Sequence, residues 1–349
     1  MIKHNSPCIN KSYLKSVNKQ IISNQLTTGE VVKKVENYFN KKYYKYGYSC
    51  LTSSGTSAIY LAIKALSKKK KNLKILIPTY SCSAILNAIY LSGNIPIIND
   101  IDPNSFNLDL KSKKNIDMII VVNIFGSDPN LKELKILYPK VKIILDSCHS
   151  TGKLILKDDP CFLADIVIHS FYSTKIITSG HGGLIWSKNK NNIDFCNDYI
   201  NFDQKKKYIQ RFNFLISDFQ AALLYEQIKF LNKFRKFRKK NYLKYKASLS
   251  RSIKIFSNFN LKKDIIYRSV LIFKNKFIRD KFLNYMKKNK VECIIPIENY
   301  ELLHNYLKLN KTKYKNSEKI SNITLSLPMH HNLSRKDVNR ISLLVNRFV

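Results

Sequence analysis

The sequence is poor in acidic residues, arginine and glycine, and it has no long apolar run. Only 24 of its 349 residues are aspartate or glutamate, and 9 are glycine. No apolar stretch approaches the roughly 18 residues of a membrane-spanning helix, so we predict no membrane span. Residues 1–7 contain no apolar core of the kind that signal peptides have, which argues against secretion.

Cysteines are few, and no two of them are closely spaced in the sequence. The seven are scattered along the chain, are odd in number and include no Cys-x-x-Cys pair. This pattern excludes a disulfide framework and a zinc site of the usual spacing. It is typical of reduced thiols, so we predict a cytoplasmic protein without a bound metal.

The formal net charge of +37 allows two interpretations. One is a polyanionic partner such as a nucleic acid or an anionic membrane surface. The other is a coding bias, because the excess is almost entirely lysine and accompanies much asparagine, isoleucine and tyrosine. Arginine forms bidentate hydrogen bonds with phosphates and with base edges, but it accounts for only 9 of the 61 cationic residues. The cationic residues are spread along the whole chain. We favour the coding bias and predict no specific nucleic-acid partner.

Apolar strand-like runs alternate with amphipathic helical segments through the first two thirds of the chain. Runs buried on both faces are what a parallel sheet requires, and the βαβα order favours an α/β layer fold with crossover helices. We predict strands at 48–52, 73–77, 95–98, 118–122, 141–145 and 164–168, and helices at 30–45, 57–66 and 83–91.

The pattern changes after residue 217 to a smaller α+β segment. We therefore predict a large domain at 1–230, with a mostly parallel sheet flanked by helices, and a small α+β domain at 231–349. Residues 1–25 belong to the large domain in this division but could pack on the small domain. Within this part we predict one long helix at 217–245, strands at 265–273 and 291–297, and helices at 278–288 and 335–348, the last capped by Ser334.

Polar residues that could carry chemistry follow several of the predicted strands. Ser53–Thr56 leads into a helix, whose first amides and dipole favour an anion, although such residues are also ordinary turn formers. Asp146 ends one strand, where ligands bind in open α/β sheets, although an aspartate there is also a common helix cap. Lys175 follows the next strand through Ser170, and a single lysine among 52 is otherwise a surface residue. The cofactor pyridoxal 5'-phosphate (PLP) requires three such groups together: a phosphate-binding site, a carboxylate and an amine.

The chain resembles the DegT/DnrJ/EryC1/StrS family of PLP-dependent sugar aminotransferases, which have the aspartate-aminotransferase fold, PLP fold type I. The resemblance covers nearly the full length and follows the family's order and spacing. The matching segments are 54–58, 78–80 with 87–88, 123–126, 146–149, 170–175 with 182–183, 213–222 and 325–330.

The resemblance implies roles for the cofactor-binding residues. Lys175 would bind the aldehyde of PLP covalently and then act as the base and acid of the proton shift. Asp146 would pair with the pyridine nitrogen, and His149 would lie beside the ring. The remaining contacts would come from Gly55, Thr56 and Ser170 at the phosphate, from Asn213 of a neighbouring subunit in a homodimer, and from Cys82 at the ring face.

Several positions depart from the family pattern near the expected substrate. Cys82 stands where an aromatic residue usually covers the ring, and Tyr80 or another aromatic is a candidate to replace it. Leu215 stands where an arginine is frequent. Asn299 replaces the histidine of a His-Tyr pair. The substrate residues implied by the resemblance are Tyr172, Asn299, Tyr300 and His304.

The implied reaction is transfer of an amino group, usually from glutamate, to a nucleotide-linked keto sugar, for surface polysaccharide or amino-sugar biosynthesis. One alternative is a PLP-dependent sugar dehydratase on the same fold, in which a histidine replaces the lysine. Another is a non-catalytic regulatory or nucleic-acid-binding relative. The presence of Lys175 argues against the dehydratase. The charge of +37 motivates the second alternative, and the departures at Cys82 and Leu215 leave room for it.

Overall fold

The described part of the chain in the computed structural model comprises residues 1–68, 70–110, 115–249 and 253–348. Within it, seven strands form one sheet in the order β1-β7-β6-β5-β4-β2-β3. Strands β2 to β6 pair in parallel, whereas β7 is antiparallel to both of its neighbours. The strands are β1 (Tyr48–Thr52), β2 (Lys74–Pro78), β3 (Ile95–Asn99), β4 (Met118–Val122), β5 (Lys142–Asp146), β6 (Ile166–Ser170) and β7 (Gly183–Ser187).

Helices cover both faces of this sheet. They are α1 (Lys11–Ile22), α2 (Glu30–Tyr38), α3 (Gly55–Ser67), α4 (Ser83–Leu91), α5 (Leu131–Leu137), α6 (Lys190–Tyr199), α7 (Asp218–Ile228) and α8 (Leu231–Ala247). Side chains of the central strands alternate between two apolar cores, as the period of two in a strand requires. Ile143 and Leu145 face the core built with α2 and α7, while Ile144 faces the core built with α3, α4 and α6.

The reversed strand β7 determines the path of the segment that carries Lys175. The chain leaves β6 at Ser170, passes through the Lys175 loop and returns as β7 between β6 and β1. Gly183 makes this return possible, because a Cβ atom there would lie 2.3 Å from the carbonyl oxygen of Ser54. The glycine therefore brings the Lys175 loop and the start of α3 to the same edge of the sheet.

A second sheet of three antiparallel strands, in the order β10-β9-β8, forms the C-terminal part. Its core contains residues from both ends of that part, such as Phe282, Leu325 and Ile341. The N-terminus joins it, because the amide of Ile2 donates to the carbonyl of Lys290. The elements are β8 (Lys254–Ile255), β9 (Ser269–Ile272), β10 (Thr324–Leu327), α9 (Lys276–Lys288), α10 (Leu303–Tyr306), α11 (Lys315–Ile323) and α12 (Arg335–Arg347).

Helix α8 contributes to both parts of the structure. Leu231 and Phe234 near its start pack into a core of the large sheet, whereas Tyr242 and Tyr245 near its end pack into the core of the small sheet. The division at residue 230 stays a prediction. Among the described residues, no helix is both long enough and apolar enough to cross a membrane.

Two predicted elements at the junction differ in the structure. The single helix predicted at 217–245 is two helices, α7 and α8, because Phe230 leaves the helical conformation with φ −105° and ψ 4°. The strand predicted at 265–273 begins only at Ser269. Its first residues turn toward the large sheet instead, where the Tyr267 amide donates to the carbonyl of Phe125 at 2.8 Å.

The strand predicted at 291–297 is also absent from the described elements. Val291 and Ile294 each form only an isolated bridge. Pro296 has no amide hydrogen to donate to a ladder, which prevents the pairing from continuing. The predicted terminal helix, in contrast, is present as α12, and Ser334 caps it by accepting the Asp337 amide.

A buried carboxyl group on α2 makes the stability depend on pH. Burial raises the pKa of Glu36 to about 7, although its hydrogen bond from the Leu51 amide acts in the opposite direction. Between pH 4.5, the ordinary pKa, and 7, the unfolded chain loses this proton while the folded chain keeps it. The contribution of Glu36 to stability is therefore complete below pH 4.5 and is lost as the pH rises toward 7.

We expect the free energy of unfolding of the wild type, relative to Glu36→Gln, to fall by about 3 kcal/mol between pH 4.5 and 7.5. Urea denaturation at several pH values measures this difference. Glu30→Gln, which removes an 88% exposed carboxylate from the same helix, is the control. A Glu36→Gln difference that is independent of pH would contradict the prediction.

Candidate active site

One cavity of about 550 Å³ lies at the C-terminal ends of β4, β5 and β6. This is where ligands bind in open α/β sheets, and the volume is that of a typical small-molecule site. The structure brings together most of the residues predicted for the cofactor. Those that line the cavity are Gly55, Thr56, Cys82, Asp146, His149, Ser170 and Lys175.

The start of α3 forms one wall of the cavity and suits an anion. The Ser54 hydroxyl accepts the amide of Ser57, and the Ser57 hydroxyl accepts the amide of Ser54, so the first turn is rigidly capped. The remaining first-turn amides have no partner within a helix. Gly55 brings them close to β6, because a Cβ atom there would lie 2.9 Å from Cβ of Ser170. Gly55, Thr56 and the Ser170 hydroxyl can therefore hold a phosphate.

Asp146, the last residue of β5, supplies a buried carboxylate to the same cavity. Its side chain is oriented by the amide of Cys148, which donates to Oδ1 at 2.9 Å. The neighbouring Cys148 thiol is neutral, because burial and the Asp146 charge raise its pKa well above the ordinary value. Asp146 therefore presents an oriented carboxylate on the cavity wall, which can pair with a protonated ring nitrogen.

His149 presents a neutral aromatic ring to the cavity. Burial lowers its pKa well below the ordinary value, and the positive charges of Lys175 and Arg268 lower it further. The ring of Tyr267 stacks on it, with centroids 4.1 Å apart and planes 13° from parallel. A neutral imidazole that is held in place by stacking on Tyr267 is suited to packing against a planar cofactor ring.

Lys175 lies on the loop between β6 and β7, where its amide donates to the carbonyl of Tyr172. Its Nζ lies 5.4 Å from the centre of the Tyr267 ring. Burial acts to lower the pKa of the amine, but the electrostatic interactions with Tyr267, Cys148 and Asp146 outweigh burial and raise it. The amine is therefore protonated at neutral pH and must lose a proton before it can react with an aldehyde.

The cavity wall has a cysteine instead of an aromatic residue at position 82. Cys82 is exposed at the start of α4 and lines the cavity. Tyr80 does not replace it, because Tyr80 is buried against Phe106 and Phe125 in a separate core. Tyr306, which lines the cavity and is 47% exposed, is another aromatic candidate, and sequence reasoning missed it.

The predicted substrate residues divide between the cavity and the protein interior. Tyr172 lines the cavity and is 47% exposed. His304 is instead buried, bonded through its ring to Thr79 Oγ1 at 2.7 Å and to Glu318 at 3.0 Å. Asn299 donates to the same carboxylate of Glu318 at 2.7 Å.

Two further predicted residues do not line the cavity of their own chain. Tyr300 is 67% exposed outside it, and Asn213 is exposed on the segment that precedes α7. Sequence reasoning also missed Tyr267 and Arg268, which the structure adds to the cavity wall. Their only signal was a position at the start of a predicted strand, which gave no reason to expect them near Lys175.

These observations define the class of the protein. One cavity contains a lysine on the loop after β6, an aspartate at the end of the neighbouring strand β5, and the start of a helix that begins with glycine. PLP-dependent enzymes of fold type I have this arrangement. The residues fit PLP, because Gly55 and the α3 amides suit its phosphate, Asp146 suits its ring nitrogen and Lys175 suits its aldehyde.

The chain belongs to the DegT/DnrJ/EryC1/StrS aminotransferase family, whose model matches residues 7–346. A relative from Campylobacter jejuni, UDP-4-amino-4,6-dideoxy-N-acetyl-beta-L-altrosamine transaminase, is 29% identical over 248 residues, which is 66% of this chain and 65% of that protein. The Escherichia coli O55:H7 GDP-4-keto-6-deoxy-D-mannose 3-dehydratase is 28% identical over 263 residues, or 65% of this chain and 67% of that protein.

Solved structures show the same fold. The putative sugar aminotransferase Spr1654 from Streptococcus pneumoniae, in its PMP form, superposes with a TM-score of 0.90 at 17% identity, covering 99% of this chain and 98% of that one. Helicobacter pylori PseC superposes with a TM-score of 0.87 at 21% identity, covering 98% and 97%. The predicted fold class, family and cofactor are thereby confirmed.

Proposed function

We propose that this chain transfers an amino group from an amino acid, usually glutamate in this family, to a keto sugar that is linked to a nucleotide. The product would serve surface polysaccharide or amino-sugar biosynthesis. The observation that carries the proposal is the shared cavity of Lys175, Asp146 and the glycine-started helix α3. The names of two relatives, a UDP-linked amino-sugar transaminase and a GDP-perosamine synthase from Vibrio cholerae, support a nucleotide-linked sugar. The name of a third, a Bacillus subtilis 3-oxo-glucose-6-phosphate:glutamate aminotransferase, supports a keto sugar and glutamate as the donor.

PLP supplies an electron sink for the carbon that carries the transferred nitrogen. The chain's own residues orient the reactants and move the proton. The Asp146 carboxylate would keep the ring nitrogen protonated, and the amides of α3 with Ser170 would hold the phosphate. The Lys175 amine would be the group placed to take a proton from one carbon and return it to another.

We also propose a cytoplasmic homodimer in which Asn213 of one protomer completes the site of the other. Asn213 is exposed and does not line its own chain's cavity, which supports a role across an interface. The cytoplasm is supported by the seven cysteines, all of which lie in the described residues and are free. A fully active monomer in sedimentation experiments would contradict the dimer.

A sugar dehydratase is the second candidate, because one relative in the same family has that name. The resemblance assigns a histidine to the lysine position in such enzymes, and the loop here carries Lys175. We therefore expect an amino sugar as the product. Mass spectrometry of products formed from nucleotide-linked keto sugars, PLP and glutamate distinguishes an amino sugar from a deoxy sugar.

Protein incubated without the amino donor is the control, because amino transfer requires a donor for every product formed. A deoxy sugar formed in place of an amino sugar would replace the proposal with the dehydratase. PLP binding without conversion of any keto sugar in a panel that varies the nucleotide and the keto carbon would contradict both.

A further inference from the structure

Arg268 separates the main cavity from a smaller recess behind it. It lines the 550 Å³ cavity and also a recess of about 70 Å³, and the two share the residues Thr174, Tyr267 and Arg268. The recess is also lined by His4 and Arg238, and it has no carboxylate in its lining. A cationic recess that opens beside Lys175 is suited to a small anionic group of a substrate.

The Arg268 guanidinium makes no hydrogen bond or ion pair with any residue in the described part of the chain. Its Nη1 atom is buried and has no partner, and its Cζ lies 5.3 Å from the centre of the Tyr267 ring. Arg238 in the same recess differs, because its Nη1 donates to the carbonyl of Tyr267 at 2.9 Å and its Nε to His331. A buried donor without a partner is costly, so the unused donors of Arg268 call for an anionic ligand.

The carboxylates of the main cavity do not neutralise Arg268. Asp146 and Glu301 line this cavity, and neither forms an ion pair with the guanidinium. Asp146 is bonded to the Cys148 amide, and Oε2 of Glu301 accepts the amide of Glu298. Arg268 therefore faces the reaction space as an uncompensated cation.

We propose that Arg268 binds the α-carboxylate of the amino-acid donor, an assignment that rests on the proposed aminotransferase function. A guanidinium presents two parallel N–H donors that match the two oxygens of a carboxylate. The donor's amino group would then point to the position of Lys175, and its side chain to the open part of the cavity. Arg268 would be a specificity residue of the first half-reaction.

Shared position and volume favour an α-carboxylate over the phosphates of a nucleotide. Lys175 and Arg268 line the same cavity, and Lys175 Nζ and Arg268 Cζ lie 5.4 Å and 5.3 Å from the centre of the same Tyr267 ring. In an α-amino acid the carboxylate is bonded to the carbon that carries the reacting nitrogen, so the two groups of one donor molecule are directed to two side chains of this cavity. A nucleotide diphosphate is attached to the sugar through C1, away from the keto carbon, and is too large for a 70 Å³ recess.

The test compares wild type, Arg268→Gln and Arg268→Lys, each loaded with PLP. The probes are L-glutamate, L-alanine and the α-amides of both, in which a neutral carboxamide replaces the α-carboxylate. The loss of the visible cofactor band as probe is added gives a half-saturating concentration and a maximal rate. Arg340→Gln, which removes an exposed arginine of α12 outside the cavity, is the matched charge control.

We expect Arg268→Gln to raise the half-saturating concentration of the α-carboxylate donors by about 30-fold or more, with the α-amides almost unaffected. Arg268→Lys should restore part of the affinity, because the positive charge remains. The recovery should be incomplete, because lysine lacks the paired N–H donors of the guanidinium. The KM for the keto sugar should change by less than about 3-fold in every variant. The visible band before mixing shows that each variant has bound PLP and folded.

Three outcomes would overturn the assignment. Equal losses for the acids and their α-amides would show a structural role for Arg268. A raised KM for the keto sugar with unchanged affinity for the amino acids would assign Arg268 to a phosphate of the sugar nucleotide. A wild type that shows no cofactor band would refute the proposed function, and this assignment with it, whereas the first two outcomes leave the proposed function intact.

Discussion

Replacement of Lys175 with alanine is expected to lower kcat for amino transfer by at least about 10³-fold. Lys175 has two tasks in the proposed function, since its amine both holds the cofactor and carries the proton during transfer. No second lysine lines the cavity among the described residues, so no neighbouring amine can take its place. The visible band of the covalently bound cofactor should disappear together with activity.

The matched control is Lys188→Ala. Lys188 lies after β7 on the surface, with Nζ 4.7 Å from the centre of the Phe162 ring and outside the cavity. It should keep the visible band and a rate close to that of the wild type. Circular dichroism of both variants checks the fold, and a Lys175→Ala rate within tenfold of the wild type would refute the catalytic role of Lys175.

The sheet, and the meeting of several polar residues at one of its edges, could be predicted because both follow from local sequence. Central strands such as β4 and β5 are continuous apolar runs, and a run buried on both faces belongs to a parallel sheet. Polar residues directly after such runs must meet at one edge of the sheet. This rule brings Asp146 and Ser170 to the same cavity, and the Lys175 loop follows directly after Ser170.

The substrate side could not be predicted, because long-range contacts decide it. The amide of Tyr267 bonds to the carbonyl of Phe125, a residue 142 positions earlier, and this contact turns Tyr267 and Arg268 toward Lys175. His304 fits a family motif, yet its bonds to Thr79 and Glu318 make it part of the junction between the two parts of the structure. The break at Phe230 has no glycine or proline to reveal it.

Asp146→Asn is expected to lower kcat by about 10²–10³-fold while the fold and PLP binding are kept. Asparagine retains an oxygen that can accept the Cys148 amide, so the end of β5 should keep its conformation. The charge is lost, and with it the pairing that keeps the ring nitrogen protonated. Steady-state kinetics with a saturating donor measure the effect, and retention of the visible band separates it from loss of the cofactor.

A cofactor analogue with a methyl group on the ring nitrogen tests the reason for this loss. Its ring is positively charged whether or not a carboxylate is present, so it should restore part of the activity of Asp146→Asn. The same analogue should lower the activity of the wild type, because the methyl group occupies the space in which Asp146 pairs with the nitrogen. Restoration in the variant together with loss in the wild type would link Asp146 to the charge of the ring. Failure to restore any activity would mean that Asp146 acts by positioning alone, since a fixed positive charge would then not compensate for the missing carboxylate.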